Sequence, residues 1–426
     1  MKHILTLLIL GQILMAATIQ NIQVNETEVP LIFEKDTRLP LVTIQFTFTN
    51  SGSITDTTKA GLAKFSAKLL NEGTKALGSS SFAETLESKA IHISASTGVE
   101  TFVIEVGCLK EELNEALEEF SALLKDPNYT QKSVDKIKTM TLGALSAKEN
   151  DFDYVAGNEL KSLIFKGTVL AQPSNGTVQS VKSIELSDVK EFLTSHLTRS
   201  NLIVALGGDV DVKSIKPKIA KIINTLPVGN IGSVKHYNTI KKPIEKILKK
   251  DTQQAYVYFA SPYNIAVDSK DYYKARVATF ILGTGGFGSR LMEEIRVKRG
   301  LAYSAYANIN VSKSSNYLSG YLQTKLDSLE EAQKTVKEVF ATFVKNGVTK
   351  EELEQTKKFI LGSEPLRVET MSQRLNRTFL EYYKGFELGH SQHELELIKN
   401  LKLKDLNNYI KEHKEILELS FAIVTK

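Results

Sequence analysis

Hydrophobic and polar positions repeat along this chain in two similar series. In each series, alternating apolar residues predict strands, and apolar residues at a spacing of three to four predict amphipathic helices. Three helical segments can be matched between the series at a nearly constant offset, namely Ala116 with Ala332, Thr130 with Thr349 and Asp188 with Asp405. Chance similarity between amphipathic helices explains one such match but not a constant offset. The sequence therefore predicts two copies of one domain.

Each copy has the order strand, helix, helix, paired strands, long helix, further helices and a final strand. This order lacks the regular βαβ alternation of a parallel sheet, so we expect α+β domains. Each domain should contain a mainly antiparallel sheet with helices packed on one face. The turn-rich stretch between the copies predicts a linker at 229–245. The expected domains are thus 18–228 and 246–426.

The first 17 residues have the form of a secretory signal. Lys2 supplies the positive start, an apolar run follows, and Ala16 and Ala17 are small residues suited to cleavage. We expect export across the inner membrane to the periplasm, with no stable membrane insertion after cleavage. A buried N-terminal element is the alternative. The net charge of +5 is spread along the chain, without a basic arm, so nucleic acid is not an expected partner.

Residues 283–303 carry the most distinctive pattern in the chain. Four glycines occur within six positions, a helical run begins at Ser289, and Gly300 ends it. A strand should follow, with Tyr303 on the same face as Ala305 and the later apolar residues. Arg296 and Tyr303 lie seven residues apart across the turn. Their two hydrogen-bond donors can therefore converge on one carbonyl oxygen.

The segments Ser-Arg-Leu, Glu-Ile-Arg and Gly-Leu-Ala-Tyr in this stretch resemble the second domain of insulinase/pitrilysin-type zinc metallopeptidases, which include the mitochondrial processing peptidases. The resemblance implies that two similar α+β domains form a half-shell. It also implies that Arg296 and Tyr303 contact the substrate backbone and the scissile carbonyl. The alternative is that Arg296 is a solvated helix residue and Tyr303 part of the core.

The zinc motif of this family, His-x-x-Glu-His, is replaced in the matching helix. Its three positions read Lys64, Ala67 and Lys68. A lysine ammonium has no lone pair for zinc, and alanine cannot move a proton. The region of the third ligand, 140–147, contains no carboxylate. We therefore expect no metal in this chain.

Seven histidines occur in the sequence, and one pair of them, His390 and His393, is closely spaced. Their order does not match a zinc motif, and we interpret them as part of a surface turn after Gly389. Lys64 and Lys68 have two interpretations. They form a solvated polar stripe, or they line a chamber and attract acidic peptide segments.

The expected function is that of a non-catalytic subunit in a secreted two-chain zinc peptidase. A homologous partner with an intact His-x-x-Glu-His motif would supply zinc and the general base, so this chain needs no cofactor. Peptides would be the substrates. The glycines of the loop would admit them to the chamber or would simply form a helix C-cap and turn; they are Gly283, Gly285, Gly286 and Gly288. A peptide- or protein-binding module and a structural subunit remain alternatives.

Overall fold

The structure, a computed structural model, describes residues 17–426. Of the expected signal, residues 1–17, only Ala17 falls within this range. The strands of the described residues are β1 (Thr18–Val24), β2 (Thr27–Lys35), β3 (Leu41–Thr49), β4 (His92–Thr97), β5 (Thr101–Leu109), β6 (Leu202–Gly208), β7 (Glu245–Lys249), β8 (Gln254–Pro262), β9 (Ala302–Val311), β10 (Asn316–Lys325) and β11 (Ser420–Thr425).

Helices fill most of the segments between these strands. In chain order they are α1 (Leu62–Leu70), α2 (Gly78–Glu87), α3 (Leu113–Lys125), α4 (Gln131–Ala147), α5 (Phe152–Ile164), α6 (Val178–Ser183), α7 (Leu186–His196), α8 (Val212–Ile223), α9 (Tyr272–Thr279), α10 (Arg290–Met292), α11 (Leu329–Asn346), α12 (Lys350–Ser363), α13 (Met371–Lys384), α14 (His390–Asn400) and α15 (Leu403–Glu412). Among the described residues, no helix is both long enough and apolar enough to cross a membrane.

The strands of residues 17–426 form two sheets with matching topology. The first sheet has the order β1-β2-β6-β3-β5-β4, and the second has the order β7-β11-β8-β10-β9. Each sheet contains one parallel pair, β2 with β6 and β7 with β11, whereas the other pairs are antiparallel. The order of the second sheet therefore reproduces that of the first without β1. The expected pair of similar α+β domains is confirmed.

Each sheet buries one face beneath the helices of its own half. In the first half, Phe46 of β3 packs on Phe120 of α3, with ring centres 4.5 Å apart. In the second half, Phe259 of β8 packs on Phe340 of α11 at 5.8 Å. All four aromatic side chains are fully buried. Burial of these apolar faces is the main source of stability in each half.

The two halves exchange one helix across the other face of each sheet. Helix α5 belongs to the first half but packs on β8 and β11, where Leu160 and Ile164 meet Ala260 and Ala422. Helix α13 belongs to the second half but packs on β2 and β6. There its apolar side chains join a core of their own with Ile32, Ile203 and Ala205, to which they contribute Leu375 and Phe379. The exchange holds the halves together.

A buried charge cluster fixes α13 on the first sheet. The guanidinium of Arg374 donates to Glu34 Oε1 at 2.5 Å and to Asp36 Oδ2 at 2.6 Å. Both carboxylates are buried. Burial raises the pKa of Glu34, and Arg374 opposes this effect. Hydrogen bonds from Arg38, with a further one from Arg374, hold the pKa of Asp36 well below its usual range.

The predicted linker, 229–245, has no regular structure before β7 begins at Glu245. It contacts both halves of the chain. Asn201 of the first half donates its side-chain amide to Asn230 O at 2.8 Å. The backbone N–H of Tyr237 donates to Ser314 O of the second half, also at 2.8 Å. The linker is therefore hydrogen-bonded to both halves along its course.

Candidate functional site

Arg296 and Tyr303 both lie at local irregularities of the backbone. Arg296 belongs to a short π-helical turn, Glu293–Val297, which follows α10 directly. Gly300 then adopts a φ of +62°, which a residue with a Cβ rarely adopts, and the chain turns into β9. Single π-helical turns occur frequently at functional sites. The turn and the strand start bring the two side chains together.

The expectation that Tyr303 shares the buried face of β9 with Ala305 is wrong. Ala305 pairs with Leu322 and Ala302 with Thr324, so Tyr303 and Ser304 together oppose a single residue of β10. This bulge shifts the alternation of side chains by one position. Ala305 is buried, whereas the Tyr303 side chain is 81% exposed. The bulge therefore turns the phenol into solvent.

Arg296 stacks on two exposed aromatic rings. Its guanidinium carbon lies 4.2 Å from the centre of the Tyr303 ring and 4.6 Å from the centre of the Phe287 ring. Phe287 is 65% exposed and lies in the glycine loop. We call these three residues the Arg296 stack. Both cation–π contacts restrict a flexible side chain while its N–H groups stay available for other partners.

The guanidinium of Arg296 has no hydrogen bond or ion pair with any of residues 17–426, although the backbone carbonyl of Arg296 accepts from Gly300 N at 3.0 Å. The nearby carboxylate of Glu294 is occupied by two other cations, Lys298 at 2.7 Å and Arg299 at 2.5 Å. An arginine normally pairs its five donors with carboxylate, phosphate or carbonyl oxygens. The donors of Arg296 are thus free for a ligand.

The four glycines of the loop form two pairs, one packed closely on its neighbours and one exposed. A Cβ on Gly283 would lie 2.6 Å from the backbone N and O of Ala307, and a Cβ on Gly285 would lie 2.8 Å from Phe280 O. These two positions need glycine because the loop packs closely on its neighbours. Gly286 and Gly288 instead have open space where a Cβ would be, although Gly286 still favours glycine through its φ of +58°, and both are exposed with Phe287 between them.

The loop is anchored at its C-terminal end. Ser289 is buried, and its hydroxyl donates to Gly286 O at 2.8 Å. Arg290 forms a two-pronged ion pair with Glu352 of α12, at 2.6 and 2.8 Å, and donates to Gly347 O. Paired contacts of this type fix orientation as well as distance. The exposed part of the loop therefore projects from a fixed base.

Replacing Gly283 with alanine is expected to lower the free energy of unfolding by roughly 1–3 kcal/mol, because the added methyl would overlap the backbone of Ala307. Gly288→Ala is the matched control. Its Cβ enters open space, and we expect a change within about 0.5 kcal/mol. Urea unfolding of both variants measures the difference. Equal stability of the two variants would contradict the division of the glycines.

The positions that match the zinc motif lie on α1. Ala67 is only 2% exposed and packs in the core, while Lys64 and Lys68 are half-buried beside it on the same side of the helix. The Lys68 ammonium donates to Thr141 Oγ1 of α4 at 3.0 Å. Burial lowers the pKa of Lys68, and the positive charge of Lys64 lowers it further. A threonine thus faces the motif from the neighbouring helix.

These residues do not fit a zinc ion. Two ammonium groups repel a cation, and neither they nor an alanine offers it a lone pair. No group of three or more His, Cys, Asp or Glu residues within 17–426 could hold a metal ion.

His390 and His393 do not form the expected surface turn but begin α14 after Gly389. The Glu381 carboxylate stabilises the start of this helix, because it accepts hydrogen bonds from Gly389 N and Ser391 N.

Asp56 holds the start of α1 in place. Its carboxylate is buried and accepts hydrogen bonds from Gly61 N at 3.0 Å and Ala63 N at 2.9 Å. These contacts satisfy donors at the helix N-terminus that would otherwise be unpaired. Burial raises the pKa of Asp56 to about 7, against the opposing effect of the two N–H groups. The helix frame is therefore retained although its metal ligands are absent.

Sequence reasoning missed three residues near these positions. Phe287 had a weak signal, since an aromatic residue flanked by glycines has no core face to occupy. Thr141 lies in the region of the third ligand, 140–147, but nothing singled out this residue there, and Lys161 had no signal because only folding brings α5 near α1. The arginine, tyrosine and loop positions were all found from the sequence. Their grouping around Arg296 was not.

Two similar α+β halves, an exposed tyrosine stacked on a half-buried arginine, and lysines at two of the three positions of the metal motif define a peptidase-like chain. The family model for insulinase (peptidase family M16) matches residues 33–178, and the model for the peptidase M16 inactive domain matches 183–360. A Helicobacter pylori protein described as "Non-peptidase homolog YmxG" is 43% identical over 427 residues, covering 100% of this chain and 99% of its own length. This chain belongs to the insulinase family, peptidase family M16, as a non-catalytic member.

More distant relatives share the fold. The "Uncharacterized zinc protease YmxG" of Bacillus subtilis is 23% identical and covers 74% of this chain and 76% of its own. A crystal structure of a peptidase M16 inactive domain from Pseudomonas fluorescens has a TM-score of 0.88 at 22% identity, covering 95% of this chain and 98% of that one. The periplasmic protease PqqL from Escherichia coli has a TM-score of 0.76 at 14% identity, covering 96% of this chain and 47% of that one.

Proposed function

We propose that this chain is the substrate-binding and transition-state-assisting subunit of a secreted two-chain zinc peptidase. The partner would be a homologous chain with an intact His-x-x-Glu-His motif. The two half-shells would close around a peptide. This chain would bring hydrogen-bond donors to the substrate, and the partner would bring the metal and the general base.

The observation that carries the proposal is the contrast between two sites of one chain. Phe287 and Tyr303 of the Arg296 stack are exposed, Arg296 is half-buried between them, and the guanidinium donors have no partner within residues 17–426. The metal position, by contrast, holds Lys64, Ala67 and Lys68. A purely structural subunit has no physical need for an arginine that is held on two exposed aromatic rings with its donors unpaired. A subunit that contacts substrate does.

In this proposal, the guanidinium of Arg296 and the hydroxyl of Tyr303 donate to one carbonyl oxygen of the bound peptide. Negative charge develops on such an oxygen during amide hydrolysis. Donors fixed in advance stabilise that charge without first having to reorganise. Phe287 would hold the guanidinium in position. The exposed glycines beside it, Gly286 and Gly288, leave room for the peptide backbone.

Export to the periplasm is part of the proposal. The first 17 residues support it through their signal-like pattern. A periplasmic member of the same fold, PqqL, is a distant structural neighbour. Fractionation of cells that produce the chain, followed by sequencing of its mature N-terminus, tests this part separately from the activity.

The experiment compares three preparations: the mature chain, a partner chain carrying His-x-x-Glu-His, and their mixture. We expect no peptide hydrolysis by this chain alone and the highest turnover by the mixture. Tyr303→Phe removes one donor while keeping the ring that stacks on Arg296, and it should lower turnover of the mixture by about a hundredfold. Peptide binding without any effect on turnover would favour a binding module. No binding and no effect would favour a structural subunit.

A further inference from the structure

Three lysines converge near the former metal position. Lys64 and Lys68 lie one turn apart on the same side of α1, and the hydrogen bond from Lys68 to Thr141 ties that side to α4. Lys161 comes from α5, the helix exchanged between the halves. The charge of Lys64 acts on both of the others, since it contributes to lowering the pKa of Lys68 and of Lys161, where burial is the larger cause. Although part of the Lys161 side chain is shielded by the protein, the residue as a whole is exposed, so its ammonium remains accessible to a ligand.

The three ammonium groups have no carboxylate partner in the part of the chain that the structure describes. No carboxylate among residues 17–426 lies within 4.0 Å of any of them. Two lysines nearby do have such partners, namely Lys59 with Asp188 at 2.5 Å and Lys136 with Glu72 at 2.7 Å. Those two acids are therefore already paired. Grouped like charges oppose one another, and an anion placed between them would remove that cost.

We propose that Lys64, Lys68 and Lys161 form a binding site for the carboxylates of acidic peptides. Active relatives would bind a cation at this position, whereas this chain would bind anions there. The proposal rests on the proposed function for the peptide as the natural ligand, and it names that ligand as acidic. Thr141 supports the site, because its hydroxyl accepts a hydrogen bond from the Lys68 ammonium and holds that side chain against α4.

Lys161 also explains why a peptide fits better than a free ion. The adjacent Leu160 and Ile164 are buried against the second sheet, so Lys161 is fixed on a helix that spans both halves. Asp153 at the other end of α5 is held by Tyr258 at 3.1 Å and Gln323 at 2.6 Å. Lys64 and Lys68 therefore come from α1, and Lys161 comes from α5, which is anchored on the second sheet. Such an arrangement suits several carboxylates along an extended chain.

The test measures peptide binding to the full mature chain without any partner. A fluorescent peptide rich in Asp and Glu is compared with a peptide of the same length in which Asn and Gln replace these residues. We expect the acidic peptide to bind more tightly, with an affinity that falls as salt rises. The triple variant Lys64→Ala, Lys68→Ala, Lys161→Ala should lose about tenfold in affinity for the acidic peptide.

Two control proteins make the result specific. Replacing the three lysines with arginine keeps the charges and should keep the binding. Replacing three exposed lysines elsewhere on the first half with alanine, at Lys132, Lys190 and Lys213, makes the same change in net charge and should leave affinity within about twofold. Melting temperatures verify that every variant is folded, and the site variant should be at least as stable as the parent because it removes like-charge repulsion.

Equal affinity of the parent and the site variant for the acidic peptide would overturn the inference. Tighter binding of inorganic phosphate than of the acidic peptide would overturn it as well, since the site would then serve a free anion. The outcome is independent of turnover. If binding depends on the lysines but the chain stimulates no partner, the proposed function is refuted and the lysine site stands.

Discussion

Replacing Arg296 with alanine lowers the turnover of the two-chain enzyme by about a hundredfold or more, if the guanidinium supplies a donor to the developing oxyanion. The physical reason is its prior placement. The cation–π contacts to Phe287 and Tyr303, at 4.6 and 4.2 Å, hold the group, and its N–H donors have no partner within the described residues. The measurement is the rate of peptide hydrolysis at saturating partner.

Further variants separate the contributions of the Arg296 stack. Arg296→Lys keeps the charge but loses the planar group that stacks and donates in a fork, so it should recover little activity. Phe287→Leu keeps both donors and removes one ring, so we expect a smaller loss than that of Arg296→Ala. Lys298→Ala is the matched control. It removes a neighbouring exposed cation that pairs with Glu294, and turnover should stay unchanged.

The turnover and binding measurements together decide the role of Arg296. A loss of turnover with unchanged peptide affinity indicates an interaction made only in the transition state. An equal loss in both indicates uniform binding of substrate. Full activity of the Arg296→Ala complex would refute the assisting role, whatever the affinity shows.

Replacing Arg374 with methionine lowers the free energy of unfolding by about 3–5 kcal/mol. The change leaves the buried carboxylates of Glu34 and Asp36 without the cation that joins α13 to the first sheet. Breaking a buried pair on one side is far more harmful than replacing both sides, because an unpaired charge stays away from water. Chemical denaturation at pH 8 measures the loss.

The loss should depend on pH in a defined direction. Without Arg374, the pKa of Glu34 rises further above its value in the unfolded chain, because burial already raises it and the opposing cation is gone. A carboxyl with a raised pKa in the folded state is protonated at low pH without penalty. Its destabilising effect develops as pH rises through the unfolded and then the folded pKa. The deficit of Arg374→Met should therefore shrink as pH is lowered from 8 to 5.

Two comparisons control the Arg374 prediction. Arg38→Met removes an exposed partner of Asp36 and should destabilise less, because water replaces an exposed cation easily. Adding Glu34→Gln and Asp36→Asn to Arg374→Met removes the orphaned charges and should recover part of the stability. A loss for Arg374→Met no larger than that for Arg38→Met would show that the cluster does not hold the exchanged helix.

The sequence by itself determined the repeated α+β architecture and the positions with chemical meaning. Alternating and helical patterns are local, and a constant offset between Ala116 and Ala332 needs no three-dimensional information. The substitution of Lys64, Ala67 and Lys68 at the metal motif was equally visible. Ligand chemistry depends on residue type at a fixed helical spacing, and sequence records both.

The tertiary structure decided which side chains meet. A one-residue bulge turned Tyr303 out of the core, against its alternating pattern, because pairing with β10 skips a position. Packing of Gly283 against Ala307 and of Gly285 against Phe280 distinguished these two glycines from the exposed pair. The exchange of α5 and α13 placed Lys161 near α1 and Arg374 against Glu34. Such contacts join residues far apart in the chain, and no local pattern encodes them.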